Sequence, residues 1–312
     1  MHYRTQKTIS HRIVFNGKCL HSGRIVKMII EPAVAGTGII FHRTDCESAI
    51  PVLAHAFNIS STELSTTIGE GASSVATIEH LMASLAGVGI DNAIIKINGH
   101  EVPIMDGSAL PFLQKILAVG VKDLEAPKVI FKVEKPFEIS HGDQKIRIEP
   151  SDSDEINCSI DFDREMIGFQ SIKYIPNLAS FMSLSNARTF CHINDVNIMR
   201  QQGLALGGSL ENAVVVTDTG VMNKEGLRSP DEFVRHKLLD LIGDFALLGG
   251  ALQGKITANK PGHTLHAEFM LALLENKEGA LRIIKQNSQE ENKDVFSDSI
   301  LGLASSAFAQ MG

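Results

Sequence analysis

Each half of the 312-residue chain begins with short strand-like runs and ends with segments of helical spacing. The first half contains the strand-like runs RIVFNGKCL, KMIIEPA and NAIIKING, and the helix-like segments VATIEHLMASLAGVG and PIMDGSALPFLQKILAVGV. The second half begins with VIFKVEKPFEI, QKIRIEP and NCSIDFD, and helix-like segments follow. This order favours α+β layers over a doubly wound parallel sheet. It predicts two domains, 1–126 and 127–312, with a linker at 123–128, where charge and a proline interrupt the pattern.

Polar and glycine residues mark the ends of the predicted helices. Ser73 or Ser74 is a candidate cap for the first helix. The clearest helix, SPDEFVRHKLLDLIGDFALLGG, has Ser229 as a candidate cap and a glycine pair beginning at Gly249 as its end. A later helix should begin near His263 and include EFMLALLEN.

Charge and composition exclude some classes of protein, among them nucleic-acid binders and membrane-spanning proteins. A formal net charge of −7 argues against a nucleic-acid binder, which would need a basic surface. The four cysteines contain no CxxC pair, which is typical of reduced thiols in a cytosolic protein. The first residues lack the apolar core of a signal peptide, and no apolar run reaches the ~18–20 residues of a spanning helix. We therefore expect a cytoplasmic protein with no stable membrane insertion. The tail VFSDSILGLASSAFAQMG either docks onto the body or contacts a membrane surface or partner.

His236, Asp240 and Asp244 recur every four residues within the clearest helix, so they share one face. A histidine and a carboxylate on one face can both bind one zinc ion. The alternative is a solvated His–Asp pair on an exposed side of the helix. The leucines that surround the pair weigh against exposure.

Three further residues could take part in metal chemistry. Glu79 and His80 are adjacent in a mostly apolar helix and point about 100° apart, so one could bind a metal while the other approaches a bound water. His263 follows a Pro–Gly turn, where a histidine could meet a substrate. The alternatives are a polar helix edge and a surface turn. The zinc-protease signatures HExxH and HxxEH are absent from the sequence, which excludes those peptidase classes.

Several longer motifs, taken together, resemble one family. In chain order they are GKCLHSG, IEHLMASLAGVGIDN, VPIMDGSALPF, ARTF, GLALGGS, DEFVRHKLLDLIGD and KPGH. Their order and spacing over residues 5–275 resemble UDP-3-O-acyl-N-acetylglucosamine deacetylase, a hydrolase of lipopolysaccharide synthesis. The resemblance implies removal of the N-acetyl group from UDP-3-O-[(3R)-3-hydroxyacyl]-N-acetylglucosamine, the committed step of lipid A synthesis. The alternatives are a zinc amidase for another acylated sugar and a catalytically silent sugar-nucleotide binding module.

The resemblance also implies the fold and the metal. It predicts two α+β domains of similar topology, each a β-sheet layered with helices, with the zinc site between them. It makes His80, His236 and Asp240 the zinc ligands, which leaves a fourth position for water. Iron(II) suits the same set of donor atoms, so the native metal stays open. We expect a monomer.

Further roles follow from the same resemblance. Glu79 corresponds to the general base, and His263 to a catalytic histidine that stabilises the oxyanion. Asp244 would hold the other ring nitrogen of His263, and Thr189 would donate a hydrogen bond to the oxyanion. The group that protonates the leaving amine stays open.

The substrate residues come from the resemblance as well. Lys237 should meet sugar or diphosphate oxygens, and an insert near 192–215 should line an apolar passage for the acyl chain. Either Gln144 or Lys145 should contact substrate, because a lysine of some family members aligns near this pair. The other expected substrate residues are Phe162, Phe190, His21, Val196, Leu204 and Ala205.

Overall fold

The structure, a computed structural model, describes residues 5–162, 166–275 and 279–285. The tail VFSDSILGLASSAFAQMG lies outside the described residues. The strands in the described part of the chain are β1 (Thr5–Ile9), β2 (Ile13–Lys18), β3 (Ile25–Pro32), β4 (Ile39–Arg43), β5 (Val52–Leu53), β6 (Ile59–Ser61), β7 (Thr67–Ile68), β8 (Ala93–Ile97), β9 (Val121–Pro127), β10 (Val129–Val133), β11 (Phe137–His141), β12 (Gln144–Glu149), β13 (Glu155–Phe162), β14 (Gly168–Tyr174), β15 (Phe190–His192), β16 (Val214–Val216), β17 (Ala251–Gln253), β18 (Lys255–Asn259) and β19 (Leu281–Lys285).

Six α-helices and three single 3₁₀ turns accompany these strands in the described residues. None of the helices described is long and apolar enough to cross a membrane. The helices are α1 (Glu79–Val88), α2 (Leu110–Val119), α3 (Leu178–Leu184), α4 (Ile193–Gln201), α5 (Glu232–Phe245) and α6 (His263–Glu275), and the 3₁₀ turns are Ala56–Asn58, Gly71–Ser73 and Ala246–Leu248.

The two halves of the chain repeat one sheet topology. The first sheet has the strand order β2-β3-β8-β4-β5, and the second has β11-β12-β18-β13-β14. In each sheet the central strand pairs antiparallel with one neighbour and parallel with the other. The first and last strands of each half also pair antiparallel, as β1 with β9 and β10 with β19. The prediction of an α+β fold with similar sheets is therefore confirmed, although the sequence contains no direct repeat. The domain boundary at 126/127 stays a prediction.

Helices join the two halves. α5 packs on β13 and β14, α6 packs on β11 and β12, and α2 packs on β2. α1 packs along α5, and the close approach depends on Gly243. A Cβ atom on Gly243 would overlap the carbonyl oxygen of Glu79 and lie 2.8 Å from its carbonyl carbon. Apolar side chains from both halves form one continuous core around this crossing.

Two predictions, the linker and the start of the first helix, are wrong because these segments pair with residues far away in the sequence. The predicted linker at 123–128 lies mostly within β9, because Lys7 and Thr8 pair with Asp123 and Lys122 across more than a hundred residues of sequence. Its charges and Pro127 fit a two-stranded edge, where proline is tolerated. The first helix begins at Glu79, not after Ser73 or Ser74, because the intervening Ala76 pairs with Glu101 and Thr77 has a left-handed backbone.

The other helix ends follow the sequence more closely. Ser229 does not cap α5, because the helix starts after Asp231 and no side chain caps its first turn. The helical run does end at Gly249, which is left-handed with φ 75°. α6 begins at His263, as the sequence predicts.

Candidate active site

The first turn of α1 carries Glu79 and His80 into the crossing between the halves. Both side chains are buried, with 4% of each residue exposed. The left-handed backbone of Thr77, with φ 58°, turns the chain sharply just before the helix. Strained backbone of this kind is common at functional sites because it aims side chains that regular structure would not.

α5 brings His236 and Asp240 to the same place from the other half. The two residues lie one helical turn apart, and Nε2 of His236 is 3.3 Å from Oδ1 of Asp240. Nε2 of His80 is 3.6 Å from the same oxygen. The ligand atoms of the three residues lie within 4.8 Å of one another, and all three residues are buried. Their burial excludes the alternative of a solvated His–Asp pair.

The His236 ring is held in the tautomer that a metal requires. Its Nδ1 lies 3.1 Å from the carbonyl oxygen of Ala187 and donates a proton to it, which leaves the lone pair on Nε2. Burial, reinforced by the neighbouring His80, lowers the pKa of His236 to about 3 despite the opposing Asp240. The ring is therefore neutral at physiological pH, and its Nε2 can bind a metal ion.

A hydrogen-bonded group lies beside these residues on α5 and α6. Oδ2 of Asp244 is 2.7 Å from Nδ1 of His263 and 2.7 Å from Nδ1 of His266. Burial disfavours the charged ring of His263, but the Asp244 carboxylate outweighs it and raises the pKa to about 9. Burial opposes the charge on Asp244 too, yet the two histidines hold its pKa well below the usual range. The pair is therefore a carboxylate and an imidazolium at neutral pH.

Glu79 has a different electrostatic environment from Asp244. Burial raises its pKa, while His263 and His80 oppose the rise. Its Oε2 accepts a hydrogen bond of 3.1 Å from the backbone N–H of Thr66. A carboxylate with a raised pKa is a better proton acceptor than an ordinary one, which suits a general base.

Aromatic rings and one lysine form a wall next to His236. The ring centroid of Phe190 lies 5.8 Å from that of Phe162 and 6.1 Å from that of His236. Nζ of Lys237 lies 3.1 Å from Oδ2 of Asp240 and 5.7 Å from the Phe190 ring centroid. Thr189 precedes Phe190, and its backbone N–H donates to the carbonyl oxygen of Gly107. The structure thus brings Phe162, Phe190 and Lys237 together beside His236 and Asp240, while Thr189 is placed there only by its position next to Phe190 in the chain.

The insert runs from the end of β15 through α4 to β16, and it contacts the first half of the chain. α4 has no buried residue, and its Val196 is half-buried. Ala205 is buried with a left-handed φ of 52°, next to the half-buried Leu204. The backbone N–H of Leu206 donates to the carbonyl oxygen of His21. His21 therefore lies beside the insert, and neither of its ring nitrogens has a hydrogen-bond partner within the described residues.

The two further substrate candidates lie at the start of β12. Gln144 is exposed, and Nζ of Lys145 pairs with Glu138 at 2.9 Å.

Sequence reasoning missed two residues of this site, Thr66 and His266. Thr66 lies in the stretch SSTELSTT, where no pattern distinguishes one hydroxyl from another. His266 had a usable signal, because it follows His263 by three residues at a helix start and so lies on the same face.

Comparisons with known proteins agree with this geometry. Residues 6–275 match the family described as "LpxC: UDP-3-O-acyl N-acetylglycosamine deacetylase". A UDP-3-O-acyl-N-acetylglucosamine deacetylase of Geobacter sp. (strain M21) is 47% identical over 272 residues, which cover 86% of this chain and 88% of that protein. The same enzyme of Acidithiobacillus ferrooxidans is 43% identical and covers 86% and 90% of the two chains.

A longer match comes from Anaeromyxobacter sp. (strain Fw109-5), whose UDP-3-O-acyl-N-acetylglucosamine deacetylase is 39% identical over 292 residues. That alignment covers 93% of this chain and 95% of the relative. The family match spans both sheets and all the residues of the site, and the relatives match at nearly full length. The chain therefore belongs to the LpxC family of UDP-3-O-acyl N-acetylglycosamine deacetylases.

Proposed function

We propose that the protein is a zinc-dependent amidase that removes the N-acetyl group from UDP-3-O-[(3R)-3-hydroxyacyl]-N-acetylglucosamine in lipid A biosynthesis. The observation that carries the proposal is the buried group of His80, His236 and Asp240, with Glu79 beside it and the Asp244–His263 pair within the same crossing. Since every one of these residues comes from one chain, we expect the enzyme to act as a monomer.

The donor atoms of the buried group fit zinc. Two imidazole nitrogens and one carboxylate oxygen are the usual protein ligands of a catalytic zinc ion, which keeps a further position for water or substrate. Oδ1 of Asp240 is buried without a hydrogen-bond partner among the described residues, although both ligand histidines face it. A cation between these atoms would satisfy the orphaned oxygen. When bound there, zinc would activate water and polarise the acetamide carbonyl.

Three residues would handle protons and charge during hydrolysis. Glu79 would accept a proton from the attacking water through the carboxylate oxygen that Thr66 does not hold. His263, kept as an imidazolium by Asp244, would donate from Nε2 to the developing oxyanion, and Thr189 would add a second donor. Either Glu79, after accepting its proton, or His263 could then protonate the leaving amine.

The rest of the substrate would extend away from this centre. Lys237 would contact sugar or diphosphate oxygens, and the rings of Phe162 and Phe190 would flank the passage beside it. The acyl chain would lie along the insert, where Val196, Leu204 and Ala205 offer apolar surface and His21 faces the same loop.

Acetate release from the acylated UDP-sugar by the zinc-loaded protein tests the proposal. His80→Ala should lose both zinc and activity, because it removes a ligand. Glu79→Gln should keep the zinc and lose the rate, because it removes only the base. Equal rates on UDP-N-acetylglucosamine with and without the acyl group would contradict the proposed substrate, and a zinc-free Glu79→Gln protein that remains folded would contradict the division of roles.

A further inference from the structure

Thr66 is a buried residue at the junction of the two halves, and no part of the mechanism above uses its side chain. It precedes β7 in the first half and is 1% exposed. Both its backbone N–H and its backbone carbonyl form hydrogen bonds with residues at the start of α1. Its N–H donates to Oε2 of Glu79, and its carbonyl oxygen accepts from the N–H of Ile78 at 3.4 Å. Two residues earlier, Leu64 is left-handed with φ 60°, which turns the loop towards the site.

The hydroxyl of Thr66 reaches across to the second half. Its Oγ1 lies 2.6 Å from Oδ1 of Asp244 and 3.2 Å from Nδ1 of His263. Because Asp244 is ionised, it can only accept, so Thr66 donates this hydrogen bond. Oδ2 of Asp244 accepts from both His263 and His266. Donors therefore hold both carboxylate oxygens, and the carboxylate cannot rotate without breaking a buried hydrogen bond to a charged group.

A single residue thus contacts the groups on both sides of the proposed reaction centre. The backbone of Thr66 holds Glu79 on α1, and its side chain holds Asp244 on α5, which in turn fixes the ring of His263. We propose that Thr66 is a positioning residue that sets the base Glu79 and the ring of His263 at a fixed separation beside the proposed zinc ligands. The inference rests on the proposed deacetylase function and assigns Thr66 no contact with substrate or metal.

The variant Thr66→Val keeps the shape and the backbone contacts and removes only the hydroxyl. Misplacing a reacting group by about 1 Å can cost about 100-fold in rate, so we expect a smaller displacement to cost about 10- to 100-fold. We expect kcat to fall by that factor while KM and zinc content stay near wild type. Thr66→Ser, which keeps the hydroxyl, should restore most of the rate. Thr66→Ala serves as a second hydroxyl-free variant if Val disturbs folding.

Thr62→Val is a matched control from the same loop. The Thr62 hydroxyl also bridges the halves, at 2.9 Å from Oγ1 of Thr264, but it touches neither carboxylate. This control should keep the wild-type kcat. A readout independent of activity is the Nδ1 proton of His263, observed by NMR in the metal-free protein. Its resonance should be alike in wild type, Thr66→Ser and Thr62→Val, and shifted or lost in Thr66→Val and Thr66→Ala.

The outcomes separate this inference from the proposed function. An inactive zinc-loaded wild type would count against the proposed function itself, and the NMR comparison would still test the contact. An active wild type with unchanged kcat in Thr66→Val and Thr66→Ala would overturn the inference. So would a Thr66→Ser variant as slow as Thr66→Val, because the hydroxyl would then not be the cause.

Discussion

The substitution Gly243→Ala should damage the proposed metal centre without touching any of its residues. Alanine is normally the better helix former by about 1 kcal/mol, so propensity alone predicts a more stable protein. At this position, however, the new Cβ would overlap the carbonyl oxygen of Glu79 and lie 2.8 Å from its carbonyl carbon and 3.2 Å from the backbone nitrogen of Ala83. All three contacts are with backbone, which cannot rotate away as a side chain can.

The size of the effect follows from these distances. Restoring an ordinary 3.4 Å contact with the carbonyl carbon requires α1 and α5 to separate by about 0.6 Å, and the carbonyl oxygen requires more. Overpacking of this kind costs about 1–3 kcal/mol, which outweighs the gain in propensity. His80 moves with α1, while His236 and Asp240 move with α5. A displacement approaching 1 Å between catalytic groups can cost about 100-fold in rate.

Three measurements check this prediction: thermal unfolding, zinc per chain, and kcat for acetate release. We expect Gly243→Ala to unfold a few degrees lower, to bind zinc more weakly and to lose at least about tenfold in kcat. Gly220→Ala is the matched control, because no heavy atom lies within 4 Å of the Cβ position at Gly220. A Gly243→Ala protein with wild-type zinc affinity and kcat would refute the reasoning that this crossing sets the metal geometry.

Two further predictions concern the proposed acid and the acyl passage. Because the pKa of His263 is raised to about 9, its imidazolium is lost as pH rises through that value, so the basic limb of kcat/KM should lie near pH 9. His263→Ala should flatten the basic side of this pH profile as well as slow the reaction. An unchanged profile in that variant would show that His263 is not the acid whose deprotonation limits the rate. Ala205→Trp should shorten the acyl chain that is accepted and leave zinc content unchanged, costing about fourfold in kcat/KM for each methylene that can no longer be buried. A parallel loss for every chain length, measured with substrates of graded length, would place Ala205 outside the passage.

Local patterns sufficed for the parts of the site that lie on one helix. The four-residue spacing of His236, Asp240 and Asp244 predicts a shared face, and the structure places all three towards the crossing. Residue spacing could not group His80 with these residues, because His80 comes from the other half of the chain. Only the resemblance of long motifs grouped it with His236 and Asp240.

The errors arose where distant segments of the chain pair. The segment after Ser74 has the pattern of a helix start, yet Ala76 pairs with Glu101, 25 residues further along the chain. Likewise, Asp123 lies in a strand because its partner Lys7 lies at the other end of the first half. Such pairings depend on tertiary context, which overrides the local preference of a short segment.

The strand order of the two sheets has a consequence for how the protein folds. In both sheets the central strand, β8 or β18, is the last of its five to leave the ribosome. Until β8 inserts, the pairs β2–β3 and β4–β5 each have an open edge, where another chain could pair. Such late, non-local closure makes folding slow and exposes intermediates to aggregation. α1 directly precedes β8, so the step that closes the first sheet also delivers Glu79 and His80 to their places.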